Sequence, residues 1–394
     1  MGVDALAETL RGSAMKTLTV DESQGYHVPG ASRRAVLSRG VDLSAWVSPA
    51  AARRMSPPSR LAVAAAQMAI MQAGLVGLAG GPSTAIVMSS SFGPVTSTEQ
   101  LLDSARRDGP MSVSPFAFAE SVANAAAGQV AIATRAQGPN LTIVQREAGA
   151  ITAVGRAVAL IASGRADRVL AGSVDEMPPL LHALLGRFDA LARPDADGVE
   201  VARPFDAGRD GFVAAEGAVV LVLEKLEAAR ARGVRWLARV NRFGSAFDAT
   251  APRIGWGTGH GPLGRALART IEAAGRQPSE VTRIVSGASG AVDGDRIEAE
   301  VLTEAWAGAP LPPILAPKAH VGQYGGGFLA AAMLSVAGGV FGPTLGFARE
   351  DPELGIRPFS GGSLAPSPLS LITTMGSGGS ASWLLMESWE SGAA

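Results

Sequence analysis

The sequence predicts an α/β fold of stacked sheets and helices, built as two halves of similar content. Three observations predict it. Short apolar runs recur along the chain, as at 84–88 (TAIVM), 140–144 (NLTIV) and 217–223 (GAVVLVL). Stretches of helical period separate them. The alternation then resumes in the second half, which is the mark of β-α-β units rather than of an all-α or all-β chain.

Taken in order, the stretch up to about residue 40 is polar and irregular, with Gly, Pro and Arg scattered through GYHVPGASRRAVLSRG. The run 61–78 is apolar, broken only by Gln67 and Gln72, and reads as a buried helix. Residues 84–88 form a buried strand followed by the turn SSSFG, and residues 140–144 form another. Next, Ile151, Val154, Val158 and Ile161 keep one face of a helix that Gly164 stops. Residues 168–171 and 217–223 return to strand, and a charged helix then ends near Gly233. The second half holds a helix at 264–274, a strand at 283–285 and a helix from about Arg296. The strand PPILAP, a glycine-rich helix after Gly325, and closing strands at 369–374 and 381–386 complete it.

Composition narrows the function. Hydrophobic residues make up 47% of the 394 and charged residues 18%, which suits a large core and not disorder. The net charge of -1 gives no electrostatic case for a nucleic-acid partner. All but three of the 34 basic residues are arginine, the exceptions being Lys16, Lys225 and Lys318. Cysteine is absent, so disulfides, thiolate metal sites and thiol nucleophiles are excluded for this chain, and a cytoplasmic location is expected. No secretory-signal pattern opens the sequence. The runs 61–78 and 325–343 are too interrupted for spans of about 20 apolar residues, so no membrane insertion is expected. None of His27, His182, His260 and His320 has metal-ligand spacing to another, and neither a metal nor a cofactor is expected. The turn MGSGG reads as a loop of unusual dihedrals, not a phosphate cradle.

One segment is far more specific. ARPFDAGRDGFVAAEGAVVLVLEKLEAARARG (202–233) resembles the hallmark segment of β-ketoacyl synthases through Arg203, Pro204, Phe205, Asp206, Arg209, Asp210, Gly211, Phe212, Glu216 and Gly217. SPFAFAESVANAAAGQVAIATRAQGPN, GRADRVLAGSVDE, LAPKAHVGQYGGG and MGSGGSASWLLM resemble further segments of that family in the same order. The resemblance runs from about Val41 to Glu387. It implies the thiolase-like fold, five layers α-β-α-β-α, in halves 1–240 and 241–394, working as an obligate dimer. The helix resembling GVDALAETLRG normally follows a strand and a glycine-rich turn. Here that first strand is missing, or Met1 is not the natural start.

The departures from the family decide the expected role. By resemblance, the nucleophilic cysteine's position at a helix start is Glu147, where helix amides and dipole would otherwise stabilise a thiolate. The first catalytic histidine falls at Ala288, in a loop one residue short, and the second at Gln323; Lys318 is retained. The phenylalanine that gates acyl access becomes Ser377. The lost groups would carry the acyl chain, promote decarboxylation and stabilise the developing enolate and oxyanion, so no catalytic residue is expected. Glu147 is read either as a structural residue paired across the subunit interface or as a base aiding decarboxylation, and Lys318 either as a relic of the fold or as a functional group.

This pattern resembles the chain-length factor, or ketosynthase β subunit, of type II polyketide synthases, which usually carries glutamine where Glu147 stands. The resemblance implies a non-condensing subunit that pairs as a heterodimer with a cysteine-containing ketosynthase. Such a subunit shapes the tunnel for the acyl chain carried by an acyl-carrier protein, in polyketide, polyene or related fatty acid biosynthesis. If 118–128 is helical, Ala119, Val122 and Ala126 share one face, and with Ser377 they are the expected tunnel residues. The competing expectations are a stand-alone decarboxylase or thioesterase-like enzyme using Glu147, and an inactive homodimeric acyl-binding protein.

Overall fold

Serine caps start a few of the helices, and most strands form on apolar runs. In the computed structural model, residues 2–338, 341–362, 364 and 367–388 are described; Met1 and the end of the half assigned to 241–394 lie outside them. Helix α1 (Val3–Leu10) precedes the short strands β1 (Leu18–Thr19) and β2 (Arg34–Val36). After the single turn α2 (Pro49–Ala52), the Ser56 hydroxyl accepts from Ser59 N and starts α3 (Pro57–Gln72), with prolines at its first positions. Next come β3 (Thr84–Ser90), α4 (Val95–Asp108), α5 (Pro115–Glu120), α6 (Ala125–Thr134), β4 (Asn140–Val144) and α7 (Gly149–Ala162). They are followed by β5 (Arg168–Asp175), α8 (Pro179–Arg187), β6 (Ala214–Ala215), β7 (Gly217–Glu224) and α9 (Leu226–Ala231). The second half holds β8 (Ala238–Phe247), α10 (His260–Glu272), β9 (Arg283–Val285), α11 (Val292–Ala305), β10 (Ile314–Leu315), α12 (Lys318–Val321), α13 (Gly325–Gly338), β11 (Leu369–Met375) and β12 (Ser380–Ser388).

Two main sheets organise these elements. The first has the order β4-β3-β5-β7, and the second β10-β9-β11-β12-β8. A small sheet, β1-β2-β6, lies apart from them. Helices α3 and α6 cover one face of the first sheet, and α10 and α11 cover one face of the second. Between the sheets lie α7 and α13, each touching strands of both. The result is the five-layer α-β-α-β-α stack expected of a thiolase-like chain. Each apolar sheet face is thus buried against a helix layer. Phe328, Leu329 and Val336 of α13 join Ile151 and Val154 of α7 in the central core with Ile372 and Leu384 of the second sheet.

Packing explains one glycine in the second sheet. Gly244 on β8 lies opposite the fully buried Trp383 on β12. A Cβ at Gly244 would sit 2.0 Å from the indole nitrogen, so only glycine leaves room for the ring.

Most strand and helix expectations match within a few residues, and the differences have local causes. The helix expected from Arg296 begins at Val292, because Asp293 and Asp295 suit its first turn. The strand expected at 168–171 runs on to Asp175, buried nearly throughout. Strand β8 was not expected. Its sequence ARVNRFGSAF mixes charge, amide and glycine because it is half exposed at the sheet edge. No helix among the described residues is long and apolar enough to cross a membrane. The run 61–78 lies in α3 and the turn after it, and 325–338 is the buried α13.

Candidate functional site

The turn from β4 into α7 presents Glu147. Arg146 adopts φ +43°, a left-handed conformation uncommon for a side-chain-bearing residue, and this bends the chain sharply from strand to helix. Glu147 therefore stands at the head of α7, where the helix dipole favours a negative charge. Its backbone carbonyl accepts from the Thr374 hydroxyl at 3.2 Å, and its Oε2 accepts from Ser377 N at 3.1 Å. The second contact lies within the chain, so Glu147 has a partner without any crossing of a subunit interface.

A small cavity lies behind this turn, lined by Glu147, Trp256, Ala288, Asp295, Glu298, Lys318 and Met375 among others. Three residues singled out from the sequence, Glu147, Ala288 and Lys318, are thus brought together. Ser377 touches the same place through Glu147. Gln323 is not in the lining; its backbone N–H donates to Val213 O at 2.8 Å, beside β6. His320 turns away as well, with Nδ1 2.7 Å from Ser13 O. It ties down the segment after α1.

Lys318 is buried, with its ammonium 5.1 Å from the centre of the Phe328 ring. Burial pushes its pKa down, and the carboxylates of Glu147, Glu298 and Asp295 oppose that shift. Glu298, which the sequence reading missed, accepts from the Ser286 hydroxyl, Gly287 N and the Thr373 hydroxyl. Burial still raises its pKa to about 7. A signal was present: Glu298 stands three and four residues before Val301 and Leu302, on the apolar face of its helix. Asp295 accepts from Ser289 N, Gly290 N and Phe205 N, and burial raises it to about 6.

Those bonds also explain why the 202–233 segment is so distinctive. Phe205 N reaches Asp295, Gly211 N donates to Gly290 O at 2.9 Å, and Arg209 pairs with Asp351 at 2.6 Å. The segment is a brace that fixes the loop carrying Ala288, and holds no reactive group in the cavity.

The expectation for the tunnel face needs correction. Ala119, Val122 and Ala126 do not share a helical face, because the helix breaks between α5 and α6 at residues 121–124. The buried Glu120 carboxylate causes α5 to stop there. It accepts from Ser56 N and the Ser59 hydroxyl at the start of α3, and from the Gln129 amide, pinning the chain inward. Ala119 and Val122 are exposed. Ala126 alone of the three lines a second, small recess, with Pro58, Met88, Ser90, Ala123, Ala127, Thr142 and Val174. Its walls are largely apolar, and the Thr142 hydroxyl is buried there without a hydrogen-bond partner among the described residues.

The histidines form no cluster in this region. His27 Nε2 and His182 Nδ1 lie 3.0 Å apart, and burial lowers the pKa of His182 to about 4. His260 faces Glu300 at 3.2 Å. Among the described residues no group of three or more His, Cys, Asp or Glu side chains could hold a metal ion.

Comparison with known proteins agrees with this geometry. The family described as "Beta-ketoacyl synthase, N-terminal domain" matches residues 37–229. A 3-oxoacyl-(acyl-carrier-protein) synthase 2 from Staphylococcus aureus is 31% identical over 317 residues, covering 77% of this chain and 76% of that protein. The corresponding synthase of Rhizobium meliloti is 38% identical over 216 residues, covering 52% of this chain and 51% of that protein. Among solved structures, the ishigamide ketosynthase/chain length factor superposes with a TM-score of 0.87 at 24% identity, covering 98% of this chain and 95% of that one. A type II polyketide synthase ketosynthase in complex with its acyl-carrier protein gives a TM-score of 0.85 at 21% identity, covering 98% and 95%. These two share the fold.

Proposed function

Because the chain belongs to the β-ketoacyl synthase family, we propose that it is a non-condensing subunit of a ketosynthase, pairing with a cysteine-bearing partner and shaping the tunnel for the growing acyl chain. One observation carries this reading. The cavity at the head of α7 holds a carboxylate, a buried lysine and an alanine where acyl transfer needs a thiol and imidazoles, and the chain contains no cysteine. A carboxylate there would give only a labile mixed anhydride, and it repels an anionic extender unit.

The surface supports a partner. β4 is the edge strand of the first sheet, with Leu141 and Val144 exposed, and an uncovered edge is a template for pairing. α6 packs on β4, and α5 abuts α6 while exposing Phe116 and Phe118. Met111, just before α5, is 97% exposed. Aromatic and aliphatic side chains displayed together in this way suit a large protein interface. The acyl-carrier protein and its chain are the expected further partners, and the recess beside Ala126 is the proposed tunnel wall.

A stand-alone decarboxylase working through Glu147 would need that carboxylate free. One of its oxygens is already taken by Ser377 N.

Co-expression with a cysteine-containing ketosynthase tests the proposal. A one-to-one complex on size exclusion with mass measurement is expected, with acyl groups found on the partner alone. A well-behaved monomer at micromolar concentration, or a stable acyl adduct on this chain, would overturn it.

A further inference from the structure

We infer that Glu147 and Arg146 form a latch holding the glycine turn 376–379 shut over the Lys318 cavity, so that acylating reagents cannot reach the one amine inside it. The turn joins β11 to β12 and is closed internally by Gly376 N donating to Ser380 O at 2.7 Å and Gly379 N to Gly376 O at 3.0 Å, with Gly378 and Gly379 at φ +92° and +94°. Glycines of this kind lose much conformational freedom when fixed, so a defined shape here requires ties.

Beside Asp248 N, which donates to Gly379 O at 2.8 Å, the ties to other segments gather at Ser377 and Gly378. The Ser377 N–H donates to Glu147 Oε2 at 3.1 Å. Its hydroxyl oxygen accepts from Arg146 Nη1 and from Gly255 N, both at 3.0 Å. Gly378 N donates to Gly255 O at 2.8 Å, completing a two-way link to that segment. The neighbours of these residues wall the cavity, with Met375 before the turn, Trp256 after Gly255, and Glu147 itself. A Cβ at Gly376 would stand 3.4 Å from Glu147 Oε2, so the turn lies directly on the carboxylate.

Lys318 is 3% exposed and lies in the same cavity. The chain's other two lysines, Lys16 and Lys225, are exposed and serve as internal standards. If the latch is what excludes reagents, then releasing it uncovers Lys318 while the rest of the fold stays closed.

The test is trace acetylation of the purified full chain, with its partner if they purify together, using an N-hydroxysuccinimide ester. The lysine nitrogen attacks the acyl carbon, N-hydroxysuccinimide leaves, and the proton goes to buffer. Peptide mass spectrometry then gives a rate at each lysine. Native protein should acetylate Lys318 far more slowly than Lys16 or Lys225. Glu147→Ala and Arg146→Ala should each speed Lys318 by roughly tenfold or more, the scale on which one lost hydrogen bond biases an opening. Glu147→Gln keeps an acceptor for Ser377 N and should stay protected. Leu75→Ala, which weakens the separate core around α3, should leave Lys318 as slow as in the native chain. Equal protection in both alanine latch variants overturns the latch, as does equal exposure in Leu75→Ala or fast labelling of the native chain. A chain that pairs with a ketosynthase yet shows an open Lys318 would sink the latch alone.

Discussion

The Thr373 hydroxyl on β11 donates at 2.6 Å to the Glu298 carboxylate on α11, joining the second sheet to its outer helix inside the core. Even with this donor and Lys318 nearby, burial holds Glu298 at about 7, above its ordinary 4.5. A carboxyl raised on folding contributes stability that is complete below its unfolded pKa and is lost as pH rises through the folded one. Asp295 and Asp175, both raised to about 6, act in the same direction. His182, lowered to about 4, acts oppositely: its contribution is lost as pH falls from 6.5 towards 4. The carboxyl contribution should therefore fall between about pH 4 and 7 in thermal melts, partly offset by His182. Glu298→Gln should flatten that slope by up to about 3 kcal/mol. An unchanged slope in the variant would count against the assignment.

Gly155 on α7 faces Phe243 on β8, and an added Cβ would meet the ring at 2.4 Å. Gly155→Ala should cost about 1–3 kcal/mol, as overpacking of a tight core does. Chemical denaturation measures it directly. A neutral result would mean that the two layers can slide apart at that contact.

Leu141→Arg places a charge on the exposed edge strand β4. The variant should keep its melting temperature within a few degrees and lose the proposed ketosynthase partner on size exclusion. Retained assembly would move the interface elsewhere.

Ala126 lines the recess, whereas Ala119 is exposed beyond it. In the assembled complex Ala126→Phe should shorten the product chain and Ala119→Phe should not. Equal product lengths from Ala126→Phe and native protein would retire the recess as tunnel.

The sequence was most legible where a short run is rich in Leu, Ile and Val. β4 and β9 were both read to the residue on that signal, although β9 is buried throughout and β4 is an exposed edge strand. β8 was missed because a half-exposed edge strand tolerates Arg, Asn and Gly. The helical reading through 119–126 failed for a different reason. Its alanines suit a helix, but the decisive group is one carboxylate, Glu120, whose three partners come from α3 and α6. No local pattern announces a contact of that range. The same holds at the cavity, where family motifs pointed to Glu147, Ala288 and Lys318. Glu298 left only the trace of an acid on the apolar face of its helix, and the Arg146–Ser377 bond became visible only once distant segments were brought together.

Because α13 lies between the two sheets, it has almost no polar face to show to water. The strands that complete the sheet on one side of it, β11 and β12, come later in the chain. A ribosome therefore exposes this helix before the residues that will cover it have been made. The chain passes through a stage in which a nearly complete protein displays a bare apolar rod, the kind of surface on which partly folded chains aggregate. Its yield in a cell should depend on how quickly those last strands follow, and on chaperones that can hold the helix meanwhile.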